Sequence, residues 1–131
     1  MIRQARESLE EKRRSRMEIL VRKAGPNDSI AVIDIDGVVD SETVEQFESI
    51  IDGVLADGCY NLVLDLAGMN YINTAGLSII ADTFKKAQQN RGALKILNAT
   101  ETIRELLDVV RFTKIIDLYE EENAAITSFE S

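Results

Sequence analysis

The sequence predicts an α/β fold with a mixed, mostly parallel sheet of four to five strands and about four helices, preceded by an N-terminal helical extension. Two short apolar segments come first and are joined by a turn, which is typical of an antiparallel pair of strands. Segments of strand length then alternate with segments of helical periodicity. This alternation favours right-handed crossovers between parallel strands, so we expect one mixed sheet.

Residues 1–16 differ in charge from the rest of the chain. They hold six of the 15 basic and three of the 23 acidic residues, which gives them a net +3 and leaves −11 on the remainder. Arg6, Glu10 and Arg14 are spaced for ion pairs along a helix, but the apolar stripe beside them is thin. We interpret this segment as a charged extension, either solvated or an arm that binds a partner. Residues 17–131 form the predicted domain.

The antiparallel pair is predicted at residues 17–21 and 30–35, with a Gly-Pro-Asn-Asp turn over 25–28. The first helix is expected after Gly37, which would turn the chain. Asp40 or Ser41 is the expected N-cap and Gly58 the C-terminal stop. The apolar face of this helix is made of Val44, Phe47, Ile50, Ile51, Val54 and Leu55.

Residues 62–66 are almost wholly apolar, which predicts a central strand covered on both faces. A loop is predicted over residues 68–71, and a second helix begins at Thr74 and ends before Gly92. Further strands are predicted at residues 94–97 and 115–118. Between them lies a helix capped by Thr100, and a closing helix contains Ala125, Ile126 and Phe129.

Composition excludes several classes of function. The net charge of −8 repels nucleic acid and gives no general attraction to anionic membranes. The chain has no histidine, which removes the commonest general base and metal ligand, so we expect neither a metal nor a cofactor. Its single cysteine, Cys59, cannot form an internal disulfide, and no apolar segment is long enough to span a membrane. We therefore expect a protein of the reducing cytoplasm.

Acidic residues near the ends of two predicted strands suggest two alternatives, one an enzyme and one a phospho-acceptor domain. Asp34 and Asp36 follow an apolar strand as in a magnesium-dependent phosphatase of the haloacid dehalogenase type. With Asp65 as phospho-acceptor, the same pair resembles a response-regulator receiver. Neither motif is complete in this sequence. The later acidic pair that the phosphatase needs is absent, and so is the lysine that a receiver has after its last strand.

The most informative segment runs from Asp65 to Leu77 and reads DLAGMNYINTAGL. It carries a hydroxyl, Thr74, at a helix start directly after a strand and a loop. This segment resembles the signature of the STAS domain family. The likeness also includes Gly37 with Asp40 before the first helix, and residues 94–98 followed by Thr100. It covers about residues 17–129, and it implies a single STAS-like domain.

Within that family the chain is most similar to bacterial anti-sigma factor antagonists. Their switch residue is a serine that follows an aspartate, and the matching positions here are Thr74 and Asn73. The resemblance implies a non-catalytic protein that binds an anti-sigma factor, itself a serine or threonine kinase, and loses that partner when Thr74 is phosphorylated. We expect a monomer or weak dimer. The expected contact residues are Asn73, Thr74, Ala75, Gly76, Leu77 and Ser78.

Physical chemistry supports such a site. A phosphate at a helix start meets free backbone N–H groups and the positive end of the helix dipole. Two other interpretations remain open. In the first interpretation, Thr74 serves only as the N-cap of the second helix. In the second, the chain would be a STAS scaffold subunit of a stressosome-like or transporter assembly, with the basic extension as an arm.

Overall fold

The computed structural model describes residues 16–130 and confirms the mixed sheet. The strands are β1 (Met17–Ala24), β2 (Ile30–Val39), β3 (Asn61–Ile72), β4 (Ala93–Leu97) and β5 (Leu118–Tyr119). The helices are α1 (Val44–Ala56), α2 (Thr74–Gln89), α3 (Glu101–Val109) and α4 (Glu122–Thr127). The strands lie side by side in sequence order; β1 is antiparallel to β2 and the later neighbours are parallel. Except for Arg16, the predicted extension lies outside the described residues.

The helices divide unequally between the two faces of the sheet. One face, which we call the three-helix face, packs against α1, α2 and α3 and forms the larger core around Ile33, Leu64 and Phe47. The opposite face packs mainly against α4, with Val32 and Val63 contacting the smaller cluster around Ala125. Side chains alternate along each strand, so neighbouring residues of β2 contribute to different cores. No helix within residues 16–130 is both long and apolar enough to cross a membrane.

The central strands are longer than the sequence indicates. The predicted loop over residues 68–71 belongs to β3, which pairs with β2 through two register shifts. Gly37 does not turn the chain, because it lies inside β2 with φ of 111°. A Cβ at Gly37 would collide with the carbonyl oxygen of Arg16. Gly37 is therefore required for the close approach of the chain that enters β1.

Two further sequence-based boundaries are corrected. The structure has the last strand at β5 rather than at residues 115–118, because 112–114 form a 3₁₀ turn that leaves Ile115 outside the sheet. α1 begins at Val44 with Thr43 as its N-cap, not Asp40 or Ser41. The Asp40 carboxylate instead accepts the N–H groups of Glu42 and Thr43 in the turn just before the helix. The cap predicted at Thr100 is confirmed, since its hydroxyl accepts from the N–H of Ile103.

Candidate functional site

The starts of α1 and α2 lie next to each other at one edge of the sheet. The carboxyl ends of β2 and β3 pair there, with Val39 opposite Ile72. The backbone N–H of Asn73 donates to the carbonyl of Val39 at 2.9 Å and continues this pairing one residue beyond β3. Because each helix follows its strand almost directly, the edge presents two helix N-termini side by side.

The N-cap of α2 is Asn73, which corrects the expectation that Thr74 has this role. Asn73 is extended, and its side-chain oxygen accepts the N–H of Gly76 at 2.8 Å. Thr74 is the first residue of the helix and is exposed. No group within residues 16–130 forms a hydrogen bond with its hydroxyl. The Thr74 oxygen is therefore accessible and is not needed to cap the helix.

The first turn of α2 has the electrostatic character of an anion site. A helix leaves its first N–H groups without intrahelical acceptors. Asn73 satisfies Gly76, and within the described part of the chain nothing accepts from Thr74 or Ala75. The turn also contains no acidic side chain. A negative group on the Thr74 oxygen would thus meet backbone donors and the helix dipole rather than a neighbouring carboxylate.

The remaining predicted contact residues divide between surface and core. Ala75 and Ser78 are exposed beside Thr74, whereas Gly76 and Leu77 are buried. A Cβ on Gly76 would lie 2.6 Å from Cγ1 of Ile72, so glycine allows α2 to pack directly against the sheet. This close packing holds the first turn of α2 in place.

The structure shows a further exposed residue, Tyr71, three positions before Thr74 in the sequence. Tyr71 lies near the end of β3 and is 49% exposed. The sequence analysis placed it in a loop and gave it no role. The residue type was the available signal, because tyrosine is enriched among the residues that dominate the binding energy of protein interfaces.

The start of α1 is built differently. Thr43 is 7% exposed, and its hydroxyl donates to the carbonyl of Val38 at 2.7 Å and accepts the N–H of Asp40 at 2.9 Å. Arg16 forms ion pairs with Asp40 and Glu42. The polar groups at this helix start are thus committed to joining α1 to β2 and to the chain ahead of β1.

The acidic residues singled out in the sequence lie away from Thr74, on the opposite face of the sheet. Asp34 is paired with Asp65 across β2 and β3, and a shallow depression of about 190 Å³ lies beside them and Asp36. Partial burial and the proximity of Asp65 raise the pKa of Asp34, while Arg22, 3.6 Å away, partly offsets that rise. No group of three or more potential ligands within residues 16–130 has the geometry of a metal site.

Arg22 links this acidic pair to α4. Its guanidinium donates to both carboxylate oxygens of Glu122, one of them at 3.0 Å, and this hydrogen bonding lowers the pKa of Glu122. The same guanidinium faces Asp34. These contacts join β1, β2 and α4, so Asp34 has an evident part in the fold.

Comparison with known proteins agrees with this architecture. The chain is 28% identical to BtrV of Bordetella bronchiseptica over 79% of this chain and 90% of that protein. It is 24% identical to the anti-sigma F factor antagonist of Paenibacillus polymyxa, over 77% of this chain and 87% of that protein. The crystal structure of an anti-sigma factor antagonist from Mycobacterium paratuberculosis superposes with a TM-score of 0.77 and 25% identity, over 88% and 95% of the two chains.

A family model described as the STAS domain matches residues 23–125. The matched range contains β2 to β5 in full, the last two residues of β1 and the whole of the α2 start. Because the match extends over most of the sequence, the chain belongs to the STAS domain family.

Proposed function

We propose that this chain is an anti-sigma factor antagonist that docks through the start of α2, and that a phosphate on Thr74 abolishes docking. The observation that carries the proposal is the exposed Thr74 hydroxyl at a helix start capped by another residue. Similarity to proteins named as antagonists in Paenibacillus and Mycobacterium supports the choice of partner class. In this proposal residues 17–131 are the docking domain, residues 1–16 are an appended segment, and the protein works in the cytoplasm.

The proposed docking surface combines small side chains with one aromatic anchor. Thr74, Ala75 and Ser78 are exposed on one side of the first turns of α2 and allow a partner's backbone to approach closely. Tyr71 contributes a large, partly exposed ring at the end of β3. Buried aromatic anchors surrounded by small contacts are typical of the energetic centre of an interface. We expect Asn73 to act mainly by fixing the orientation of Thr74.

Phosphorylation would change this surface without unfolding it. The phosphate adds a charge of about −1.5 to −2, and the free N–H groups of the first turn favour that charge. Asn73 caps the helix without a charge of its own, whereas the family's usual aspartate would repel the phosphate from the adjacent position. A docked partner would have to desolvate the new dianion, so phosphorylation opposes binding. A hundredfold loss of affinity corresponds to about 2.8 kcal/mol.

The partner in this proposal is an anti-sigma factor with serine or threonine kinase activity. The antagonist itself performs no catalysis: it supplies a surface and a phosphate acceptor. A surface of small polar residues together with a net charge of −8 suits a protein partner rather than a nucleic acid.

The proposal is tested by phosphate transfer from the cognate anti-sigma factor, recovered from the source organism on immobilised protein. The protein, its Thr74→Val variant and the matched control Ser78→Ala are each incubated with that factor and ATP, and phosphate is mapped by mass spectrometry. We expect modification at Thr74 in the parent and in Ser78→Ala, and none in Thr74→Val. Phosphate found only at other positions would refute the switch.

Binding gives the second arm of the test. Thr74→Ala should keep the partner bound whether or not ATP is present, because the surface stays uncharged. Thr74→Glu should weaken binding, although one carboxylate imitates a phosphate dianion imperfectly. Equal affinity of both variants and the parent would show that the start of α2 is not the docking surface.

A further inference from the structure

β1 is an outermost strand of the sheet, and within residues 16–130 no segment pairs with its outer edge. The carbonyl of Arg16 accepts the N–H of Val38, so the even-numbered residues of β1 direct their backbone groups toward β2. The odd-numbered residues direct theirs outward. These are Met17, Ile19, Val21 and Lys23. An eight-residue strand whose outward donors and acceptors have no partner within residues 16–130 can pair with another strand.

The side chains of β1 are unusual for an edge strand without a neighbour. Leu20, at the middle of the strand, is 70% exposed, and the adjacent Val21 is 42% exposed. Both are large apolar residues on a strand that already offers free hydrogen-bonding groups. A second strand beside β1 would remove this apolar surface from water.

Glu18 supplies an independent indication that a cation belongs at this edge. Glu18 is paired with Asp36 of β2, and like charges directly opposite each other destabilise a sheet. Both residues are exposed, and no cation within residues 16–130 forms an ion pair with Glu18. A positive side chain on the outer side of Glu18 would relieve this repulsion.

We propose that two copies of this chain join edge to edge through β1, antiparallel, about a two-fold axis at Leu20. In this register Leu20 packs against Leu20 of the second copy. Glu18 lies opposite Arg22 of that copy, whose guanidinium also pairs with Glu122 and Asp34 of its own chain, and by symmetry the pairing occurs twice. Ile19 lies opposite Val21 of the second copy on the other face. The one strand thus provides an apolar centre flanked by opposite charges, as an isologous interface requires.

The geometry of antiparallel pairing selects this register. Outward-facing residues must bond with outward-facing residues, so odd positions pair with odd positions and even with even. Moving the strands to the next allowed register places Leu20 against Arg22 in one direction and against Glu18 in the other, and both moves separate Glu18 from its cation. Leu20 then loses its apolar partner, which makes the register centred on Leu20 the favoured one.

The dimer would be one continuous sheet of ten strands. The start of α2 follows β3, two strands away from the joint, so both copies keep that surface accessible. The inference is therefore independent of the proposed function. If both hold, each assembly carries two antagonist surfaces and binds a dimeric partner with increased avidity.

Disulfide trapping tests the register with the full-length chain. Two residues facing each other across the axis in a non-hydrogen-bonded pair have Cα atoms about 4.5 Å apart, within the range of a disulfide. Cys59 is first replaced by serine, and Leu20→Cys is compared with the matched control Val21→Cys under mild oxidation. We expect Leu20→Cys to cross-link at least tenfold faster, because Val21 lies opposite Ile19 and not opposite its own copy. Equal rates, or no cross-linking, would overturn the proposal.

A charge exchange tests the same interface by sedimentation. Glu18→Arg and Arg22→Glu should each weaken self-association about tenfold or more, because each creates two like-charge contacts. An equimolar mixture of the two variants should form a heterodimer, since both contacts then become attractive. If Arg22→Glu fails to fold after losing Glu122, the Glu18→Arg change alone is decisive. It should raise the melting temperature, by removing the repulsion from Asp36, while slowing the Leu20→Cys cross-link; an unchanged cross-linking rate would refute the register.

Discussion

Thr43 and Thr74 lie at neighbouring helix starts on the same edge of the sheet, and their hydroxyls differ in burial and in hydrogen bonding. The Thr43 hydroxyl is buried between Val38 and Asp40 and makes hydrogen bonds of 2.7 and 2.9 Å with them. The Thr74 hydroxyl faces solvent, because Asn73 caps α2 in its place. A hydroxyl becomes available to a kinase or a partner when a neighbouring residue performs the structural task. Threonine thus stabilises the fold at position 43 and remains accessible to a partner at position 74.

The largest expected contrast between the two threonines is in stability. Thr43→Val keeps the shape of the side chain but leaves the Val38 carbonyl and the Asp40 N–H without a partner. Losing buried hydrogen bonds of this kind lowers the free energy of unfolding by about 2 kcal/mol. Thr74→Val should change it by less than about 0.5 kcal/mol, as for other exposed positions. Denaturant unfolding of both variants checks this, and equal losses would remove the distinction.

A smaller effect separates Asn73 from Thr74. Asn73→Ala removes the acceptor for Gly76 and should lower the free energy of unfolding by about 1 kcal/mol, as loss of an N-cap usually does. Thr74→Ala should be nearly neutral in the same denaturant titration. Asn73→Asp serves as the control, because an aspartate caps equally well and should retain the stability. If Thr74→Ala is the more damaging change, Thr74 and not Asn73 caps the helix.

The smallest effect concerns the opposite face of the sheet. The folded chain holds the Asp34 proton more tightly than the unfolded chain does, because burial and Asp65 raise its pKa. Its contribution to the free energy of unfolding therefore falls as pH rises from the usual aspartate pKa through the raised one. Asp34→Asn should flatten this dependence and stabilise the fold at neutral pH. We expect this stabilisation to be less than about 0.5 kcal/mol, since water screens the charge of a partly exposed carboxyl.

Thermal melts of the parent and Asp34→Asn would show this change in the pH dependence of stability. A range of roughly pH 3 to 7 is suitable, because it covers the ordinary pKa values of carboxyl groups. Glu122 adds a pH dependence of the opposite sign, because Arg22 lowers the pKa of Glu122 and its contribution to stability is lost as pH falls.

The Asp34→Asn variant should bind the partner normally. Reduced binding by Asp34→Asn would mean that the docking surface is not confined to the start of α2.

The sequence predicted the parts of the fold that depend on local patterns. Strand and helix order, the start of α2 at Thr74 and the Thr100 cap follow from periodicity and from residue preferences at helix ends. The extension of β3 through Tyr71 could not be predicted in this way. It depends on pairing with β2, a contact between segments far apart in the sequence. Gly37 was misassigned for the same reason, because its neighbour is the Arg16 carbonyl.

The site was predicted less completely than the fold. The motif located Thr74, but only the structure distinguishes the residue that caps α2 from the residue that stays free. Asparagine and threonine are both good N-caps, so their order gives no answer without the backbone conformation. Leu77 lies close to Thr74 in the sequence yet faces the core, as the helical period dictates. Burial therefore reduces the predicted contact residues to those on the exposed side of the turn.

The affinity of the phosphorylated chain for its anti-sigma factor tests the central claim most directly. The protein is phosphorylated to completion at Thr74, verified by mass spectrometry, and titrated against the partner by calorimetry beside the unmodified protein. We predict binding about a hundredfold weaker for the phosphorylated chain, equivalent to about 2.8 kcal/mol, with an unchanged circular dichroism spectrum. Equal affinities of the two forms would contradict the account.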